Sequence, residues 1–230
     1  MSRRDVTDIA VVGGGVVGAA AALAFARDGW SVALVESHRP RPWSSDVPDL
    51  RVYAIAPDSM ALLDAIGIGT TVRSTRAQAY RRMEVRDAAG GGALAFDADR
   101  FGRRELGWII EHGLLVDRLW AALETSGVTV HAPARVTGFE QEDAQAALHL
   151  DGDRRLRARL IVAADGGDSP LRALAGIGTT EHDYGQSGLV GYVETSRPHG
   201  ATCYQRFLPT GPLAFLPFCD GRSSIVWTLP

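Results

Sequence analysis

The chain contains no lysine and no asparagine; all 24 of its basic residues are arginine. A GC-rich coding sequence accounts for that bias. The lack of lysine excludes Schiff-base chemistry and a catalytic side-chain amine. Cysteine is scarce too. Cys203 and Cys219 form no metal-ligand cluster and read as reduced, buried thiols of a cytosolic protein. The six histidines show no metal spacing. Neither sign of charge dominates. A formal net charge of -3 leaves no basic field for nucleic acid and no acidic tail. Long apolar runs are missing, with one exception. Ile9 to Ala26 carries no charge, Arg3 and Arg4 precede it, and "ALAFA" has the look of a cleavage site. Asp5 and Asp8 interrupt the basic region, and Gly and Ala favour a membrane far less than Leu or Ile. The run is read as part of a folded domain, with neither signal nor anchor. No other segment has the length to span a bilayer.

What is present is a globular composition. Apolar residues make up 46% of 230, enough for one large domain or two small ones with a real core. The stretch "DIAVVGGGVVGAAAALAFARDGWSVALVE" holds Gly13, Gly15 and Gly18 in the spacing G-x-G-x-x-G. A short β-rich strand precedes the glycines, a helix of good formers follows, and Gly29 stops it. "SVALVE" is a second buried strand ending in Glu36. In such a unit Gly13 permits the tight turn. Gly15 lets backbone approach a pyrophosphate, and Gly18 lets helix and strand pack closely. The helix N-terminus, at Val16 and Val17, offers N–H groups and positive dipole to phosphate. Glu36, with Ser37 beside it, lies roughly 20 residues on, where a carboxylate accepts ribose hydroxyls. An acid there disfavours a 2′-phosphate. FAD and NAD remain equal on this unit alone.

The rest of the chain departs from a simple dehydrogenase. "SHRPRPWSSDVP" is a loop and "SMALLDAIG" a short helix. "YRRMEVRD" and "GALAFDA" are strands around the turn "AAGGG", and "GWIIEHG" is a strand into a turn. "LLVDRLWAALETSG" is a helix with Leu115, Leu119, Ala122 and Leu123 on one face. "VTVHAPARVTGFE", "AQAALHLD" and "RLRARLIVAAD" are strands, the last two a hairpin, and strand dominates from Tyr184 onward. The fold class is α/β with an α+β insertion. A Rossmann-like unit (1–76 and 106–178) is interleaved with a mostly antiparallel β domain (77–105 and 179–230).

Three more stretches carry a resemblance. "DLRVYAIAPDSMALLDAIG" resembles the D-x-R segment of aromatic-ring flavin hydroxylases. "ARLIVAADGGDSPLR" resembles their second fingerprint. "YQRFLPTGPLAFLPF" with "SSIVWTLP", and "ELGWIIEHGLLVDRLW", are similar to the group that hydroxylates ubiquinone precursors. The chain is identified as a member of the FAD-dependent ubiquinone-biosynthesis hydroxylases, over nearly its whole length.

That resemblance implies FAD as cofactor and NAD(P)H as co-substrate. The substrates are O2 and a polyprenyl phenol or quinol, whose ring is hydroxylated through a reduced flavin and a flavin hydroperoxide. Gly13, Gly15, Gly18 and Glu36 match the ADP-binding segment, and Arg51 the arginine that reaches the flavin. Asp165 and Gly166 match the pair serving both FAD and NAD(P)H, with Ser169 and Arg172 behind them. His112 stands where the family usually has an amide near the flavin, and Arg118, on the helix just beyond, is expected to face the same cofactor. Phe215, Phe218 and Trp227 are taken as walls of the substrate pocket. No side chain need act as a nucleophile. The implied location is cytoplasmic, with peripheral contact to the inner membrane or membership of a ubiquinone-synthesis complex.

The family's ribityl-binding Gly-Asp motif is not found before Pro230. The chain is therefore expected to be an N-terminal portion that binds FAD poorly and hydroxylates nothing alone. A flavin-dependent prenyl reductase and a non-catalytic nucleotide-binding or assembly component remain open. A flavin halogenase would rely on a lysine. An NAD-only dehydrogenase suits neither Asp165-Gly166 nor the β-rich second half.

Overall fold

In the computed structural model, which describes residues 6–230, the opening run becomes the strand-turn-helix-strand expected of it. Strand β1 (Val6–Val12) leads into α1 (Val16–Arg27), and β2 (Val32–Val35) follows. β2 is buried throughout and β1 over its last four residues, as strands covered on both faces must be. Arg3, Arg4 and Asp5 lie outside the described residues.

The chain packs as two units. The first comprises the chain up to Pro42, Ala65–Ile68 and Val116–Thr180; the second comprises Trp43–Asp64, Gly69–Leu115 and Glu181–Pro230. Packing thus groups 43–64, 69–76 and 106–115 with the second unit, whereas the sequence reading placed them with the first.

The first unit is built on one six-stranded sheet. Its other strands are β8 (Thr129–His131), β9 (Val136–Gln141), β10 (Ala146–Leu150) and β11 (Arg154–Ala163). The order is β8-β2-β1-β11-β10-β9. The first four run parallel and the last two add antiparallel. β10 and β11 form the expected hairpin. "VTVHAPARVTGFE", expected as one strand, divides into β8 and β9 around Pro133, whose nitrogen has no hydrogen for a ladder. Ala10, Val12, Val35, Leu148, Ala158 and Leu171 belong to one core cluster. Leu171 comes from α5 (Pro170–Leu174).

The second unit holds β3 (Val52–Ile55), α2 (Pro57–Ala65), α3 (Gly69–Arg76), β4 (Ala77–Tyr80), β5 (Arg82–Asp87), β6 (Ala93–Asp97) and β7 (Gly107–Glu111). It ends with β12 (Ser187–Val193), β13 (Thr202–Leu208), β14 (Gly211–Pro217) and β15 (Ser223–Leu229). One sheet runs β12-β15-β14-β13-β5-β6, the other β3-β7-β4. All pairings are antiparallel except β13 with β5. Tyr80, Ile109 and Cys203 are buried together, with Met83 and Leu216 packed on them. Helix α3 has little apolar periodicity to announce it. Arg73 forks onto Asp64 at 3.0 and 2.6 Å and ties it to the preceding helix. After β7 the expected turn is instead the start of α4 (His112–Leu123). No helix among the described residues is long and apolar enough to cross a membrane.

Candidate functional site

Each glycine of the first loop answers to a different constraint. Gly13 has φ +106°, and a Cβ there would lie 2.2 Å from the Ala164 carbonyl oxygen. Gly18 sits on the inner face of α1, where a Cβ would meet the Gly13 oxygen at 1.9 Å. Gly15 differs: a Cβ on it would meet nothing within 4 Å. It is the N-cap of α1, with no side-chain cap. The first N–H groups of a helix lack intrahelical partners, and here no side chain competes for them. Open space beside uncapped N–H groups is what a phosphate requires. Val17 stands exposed at the same helix end.

Glu36 closes the loop from the end of β2. Its Oε2 accepts the Gly14 N–H at 2.6 Å, and its Oε1 accepts the Ser37 hydroxyl and the His38 N–H at 2.9 Å each. Trp120 of α4 donates its indole N–H to the Gly14 carbonyl at 2.8 Å. A Cβ on Gly14 would lie 2.7 Å from the Trp120 ring, so this middle glycine also leaves no room for a side chain unless Trp120 shifts. The sequence reading missed Trp120; its only sequence signal is a large aromatic residue at an inward helix position.

Gly13, Gly15, Glu36, Ser37, Asp165 and Gly166 line one cavity of about 600 Å³ in the first unit. It opens at the C-terminal ends of the parallel strands β1, β2 and β11, where ligands bind in open α/β sheets. Asp165 is held in place from the next helix. Its Oδ1 accepts the Ser169 hydroxyl at 2.5 Å and its Oδ2 accepts the Leu171 N–H at 3.0 Å. Ser169 also accepts the Arg172 N–H, capping α5. Ser169 is thus buried and occupied in fixing Asp165. A second cavity, of about 630 Å³, shares Asp165 and Gly166 and is walled by Leu160, Ile161, Ser169 and Arg172. The donor set suits the ADP part of a dinucleotide: N–H groups for phosphate, a carboxylate for ribose, and space for both. Arg118 is on α4, ion-paired with Asp117, and does not line this cavity.

Arg51 and His112 belong to the second unit, where β3 and β7 bring them together. The His112 N–H donates to the Arg51 carbonyl at 2.9 Å. His112 Nδ1 is 3.0 Å from the Tyr53 hydroxyl. Burial, then the Arg51 charge, pushes the imidazole below its ordinary range, with Asp49 opposing, so it is neutral at pH 7. The Asp49 carboxylate accepts the Arg51 and Gly113 N–H groups at 2.9 Å each. Next to His112, Glu111 is fully buried. It accepts the Asp49 N–H at 2.7 Å and pairs with Arg76 at 3.5 Å. Trp43 bonds to it as well, yet burial outweighs these partners and pushes the carboxyl up. Tyr192 donates its hydroxyl to the Asp49 carbonyl at 2.7 Å. Burial, reinforced by Glu111 and Asp49, pushes that phenol upward. None of this network was foreseen beyond Arg51 and His112.

The three expected substrate walls do not share a face. Trp227 stands opposite Leu213, two residues from Phe215, so those two project from one side of the sheet. Tyr192 pairs with Ser224 and projects from the other. Phe218 is buried there, its ring centroid 4.8 Å from that of Tyr192. Among the described residues no group of three His, Cys, Asp or Glu could hold a metal ion.

The FAD binding domain model matches residues 6–229. The chain is 37% identical over 223 residues to the 3-demethoxyubiquinol 3-hydroxylase of Escherichia coli, which covers 96% of this chain and 57% of that protein. It is 35% identical over 229 residues to the ubiquinone hydroxylase UbiL of Rhodospirillum rubrum, covering 99% of this chain and 53% of that one. The chain thus spans about half the length of the curated relatives it matches. Among solved structures, p-nitrophenol 4-monooxygenase PnpA of Pseudomonas putida shares its fold. The TM-score is 0.78 at 20% identity, covering 97% of this chain and 57% of that one. The chain belongs to the FAD binding domain family.

Proposed function

From that membership we propose that this chain forms the ADP-binding end of an FAD monooxygenase that hydroxylates the ring of a polyprenyl phenol or quinol in ubiquinone biosynthesis. One observation carries the reading: Gly15 faces open space at an uncapped helix N-terminus, in the same cavity as Glu36 and Asp165. The hydroxylases named above supply the substrate class.

In this reading Gly15 and the first turn of α1 hold the pyrophosphate, and Glu36 accepts the ribose hydroxyls. Asp165, fixed by Ser169, borders the cofactor with Gly166. In the second unit Arg51 and the neutral His112 each offer a hydrogen-bond donor, and the family resemblance assigns both to the flavin. When bound, the flavin supplies the oxygen chemistry, with NAD(P)H as reductant and O2 as oxidant. The protein orients an electron-rich ring and keeps water away. Phe215 and Trp227, on one side of the sheet, contribute apolar surface for that ring or its tail; Phe218 is buried on the other side and takes no part. A polyprenyl substrate places the enzyme on the cytoplasmic side of the membrane that holds it.

The test is turnover of a short-chain demethoxyubiquinol, with NADH under isotopically labelled O2, by an FAD-loaded chimera in which this chain replaces the matching residues of the Escherichia coli 3-demethoxyubiquinol 3-hydroxylase. The expected product gains one labelled oxygen atom. Label arriving from water, or turnover without O2, contradicts the reading.

A further inference from the structure

At one edge of the second unit, strand β6 and the turn after it expose apolar side chains. Leu94 is 63% exposed, Phe96 42% and Phe101 58%. The register pairs Phe96 with Met83 and Leu94 with Val85, so Leu94 and Phe96 project from the same side of the sheet. Phe96, Phe101, Met83, Tyr80 and Leu106 line a groove of about 500 Å³, with Arg103 as its charged member. Exposed apolar residues grouped around an apolar groove mark an interaction site rather than ordinary surface.

The charges around this patch are sorted by partner. Asp99 is paired with Arg81 at 2.5 Å, Asp97 with Arg82 at 2.9 Å and Glu84 with Arg86 at 3.2 Å. Those acids are therefore neutralised within the fold. Asp87 accepts the Ala89 N–H. Arg100, Arg103 and Arg104 are exposed and form no ion pair among the described residues. They flank Phe101 on both sides in "DRFGRRE", where Asp99 is held by Arg81 and Glu105 is the other carboxylate. The 3-10 turn Ala98–Phe101 ends in a left-handed Gly102, which reverses the chain at this segment.

We propose that this edge docks on an anionic lipid bilayer. Phe101, Phe96 and Leu94 enter the interfacial region, Arg100, Arg103 and Arg104 engage acidic headgroups, and the groove receives an acyl or prenyl chain. Apolar insertion beside basic residues is the pairing that peripheral membrane attachment requires. Such a surface gives the proposed quinol hydroxylase access to a substrate dissolved in the membrane.

Flotation of the 230-residue chain with vesicles tests this. One set is phosphatidylcholine alone; the other contains about one-third phosphatidylglycerol, enough to attract basic segments. Neither contains quinol or flavin, so failure here leaves the hydroxylase reading standing. The chain is expected to float with the anionic vesicles only, and less as salt rises. Phe101→Ser and the triple change Arg100→Glu, Arg103→Glu, Arg104→Glu should each weaken binding at least about tenfold. These exposed positions leave the melting temperature unchanged. No binding to anionic vesicles, or binding indifferent to both variants, overturns the proposal. So does a dimer in sedimentation that Phe101→Ser converts to a monomer while vesicle binding is absent, since a second copy is then the occupant.

Discussion

The Glu36 carboxylate accepts the Gly14 N–H at 2.6 Å, which joins the end of β2 to the middle of the glycine loop. One oxygen holds the loop while the other accepts from Ser37 and His38. The residue assigned to the ribose is thus also a brace for the phosphate-binding turn. Replacing Glu36 with Gln keeps the shape and removes the charge. Affinity for ADP should fall about tenfold, the effect of losing one charge-assisted hydrogen bond of about 1.4 kcal/mol. Equilibrium dialysis with ADP reads this directly.

Gly18 makes a different prediction, because its neighbour is backbone. A methyl group there overlaps the Gly13 oxygen, which α1 can relieve only by moving away from the loop. Gly18→Ala should destabilise the fold by about 2 kcal/mol, as overpacking does, and lower the melting temperature by several degrees. Calorimetric melting checks it.

Glu111 and Arg76 give a pH signature. Burial raises the folded pKa of Glu111 above its unfolded value, and Arg76 opposes that rise. The folded state therefore holds a proton that the unfolded state has lost. Stability on this account falls as pH climbs from the ordinary carboxylate range through the folded value. Removing Arg76 widens that window. Arg76→Met should lose more stability at pH 8 than at pH 5, and Glu111→Gln should flatten the dependence. Denaturant unfolding at the two pH values measures both.

The two thiols should separate cleanly. Cys203 is buried and its thiol is pushed up to about 12 by desolvation, whereas Cys219, expected to be buried as well, is exposed in the turn after β14. A thiol reagent at pH 8 should modify one residue in the native protein and both in denaturant. Rapid modification of Cys203 in the native state would contradict the packing of β13.

The first unit was legible because its information is contiguous. Strand, glycine turn, helix and Glu36 fall within "DIAVV" to "VALVE", and Asp165-Gly166 follows a strand run. The long-range partners were not legible. Trp120 reaches Gly14 across 106 residues, and Glu111 meets Asp49 across 62. No periodicity encodes such pairings. The split of "VTVHAPARVTGFE" turned on one missing N–H at Pro133. The separation of Phe218 from Phe215 and Trp227 turned on strand register, which apolar composition alone does not specify.

The central claim is that the open space at Gly15 is a phosphate seat, and titration calorimetry with ADP tests it most directly. Wild-type chain should bind ADP one-to-one, and adenosine bearing a 2′-phosphate more weakly because Glu36 repels it. Gly15→Val should still fold, since no atom lies within 4 Å of the new Cβ, with only the small stability loss of a poorer N-cap, yet lose ADP affinity by about tenfold or more. Equal ADP affinity in Gly15→Val and wild type would contradict the account.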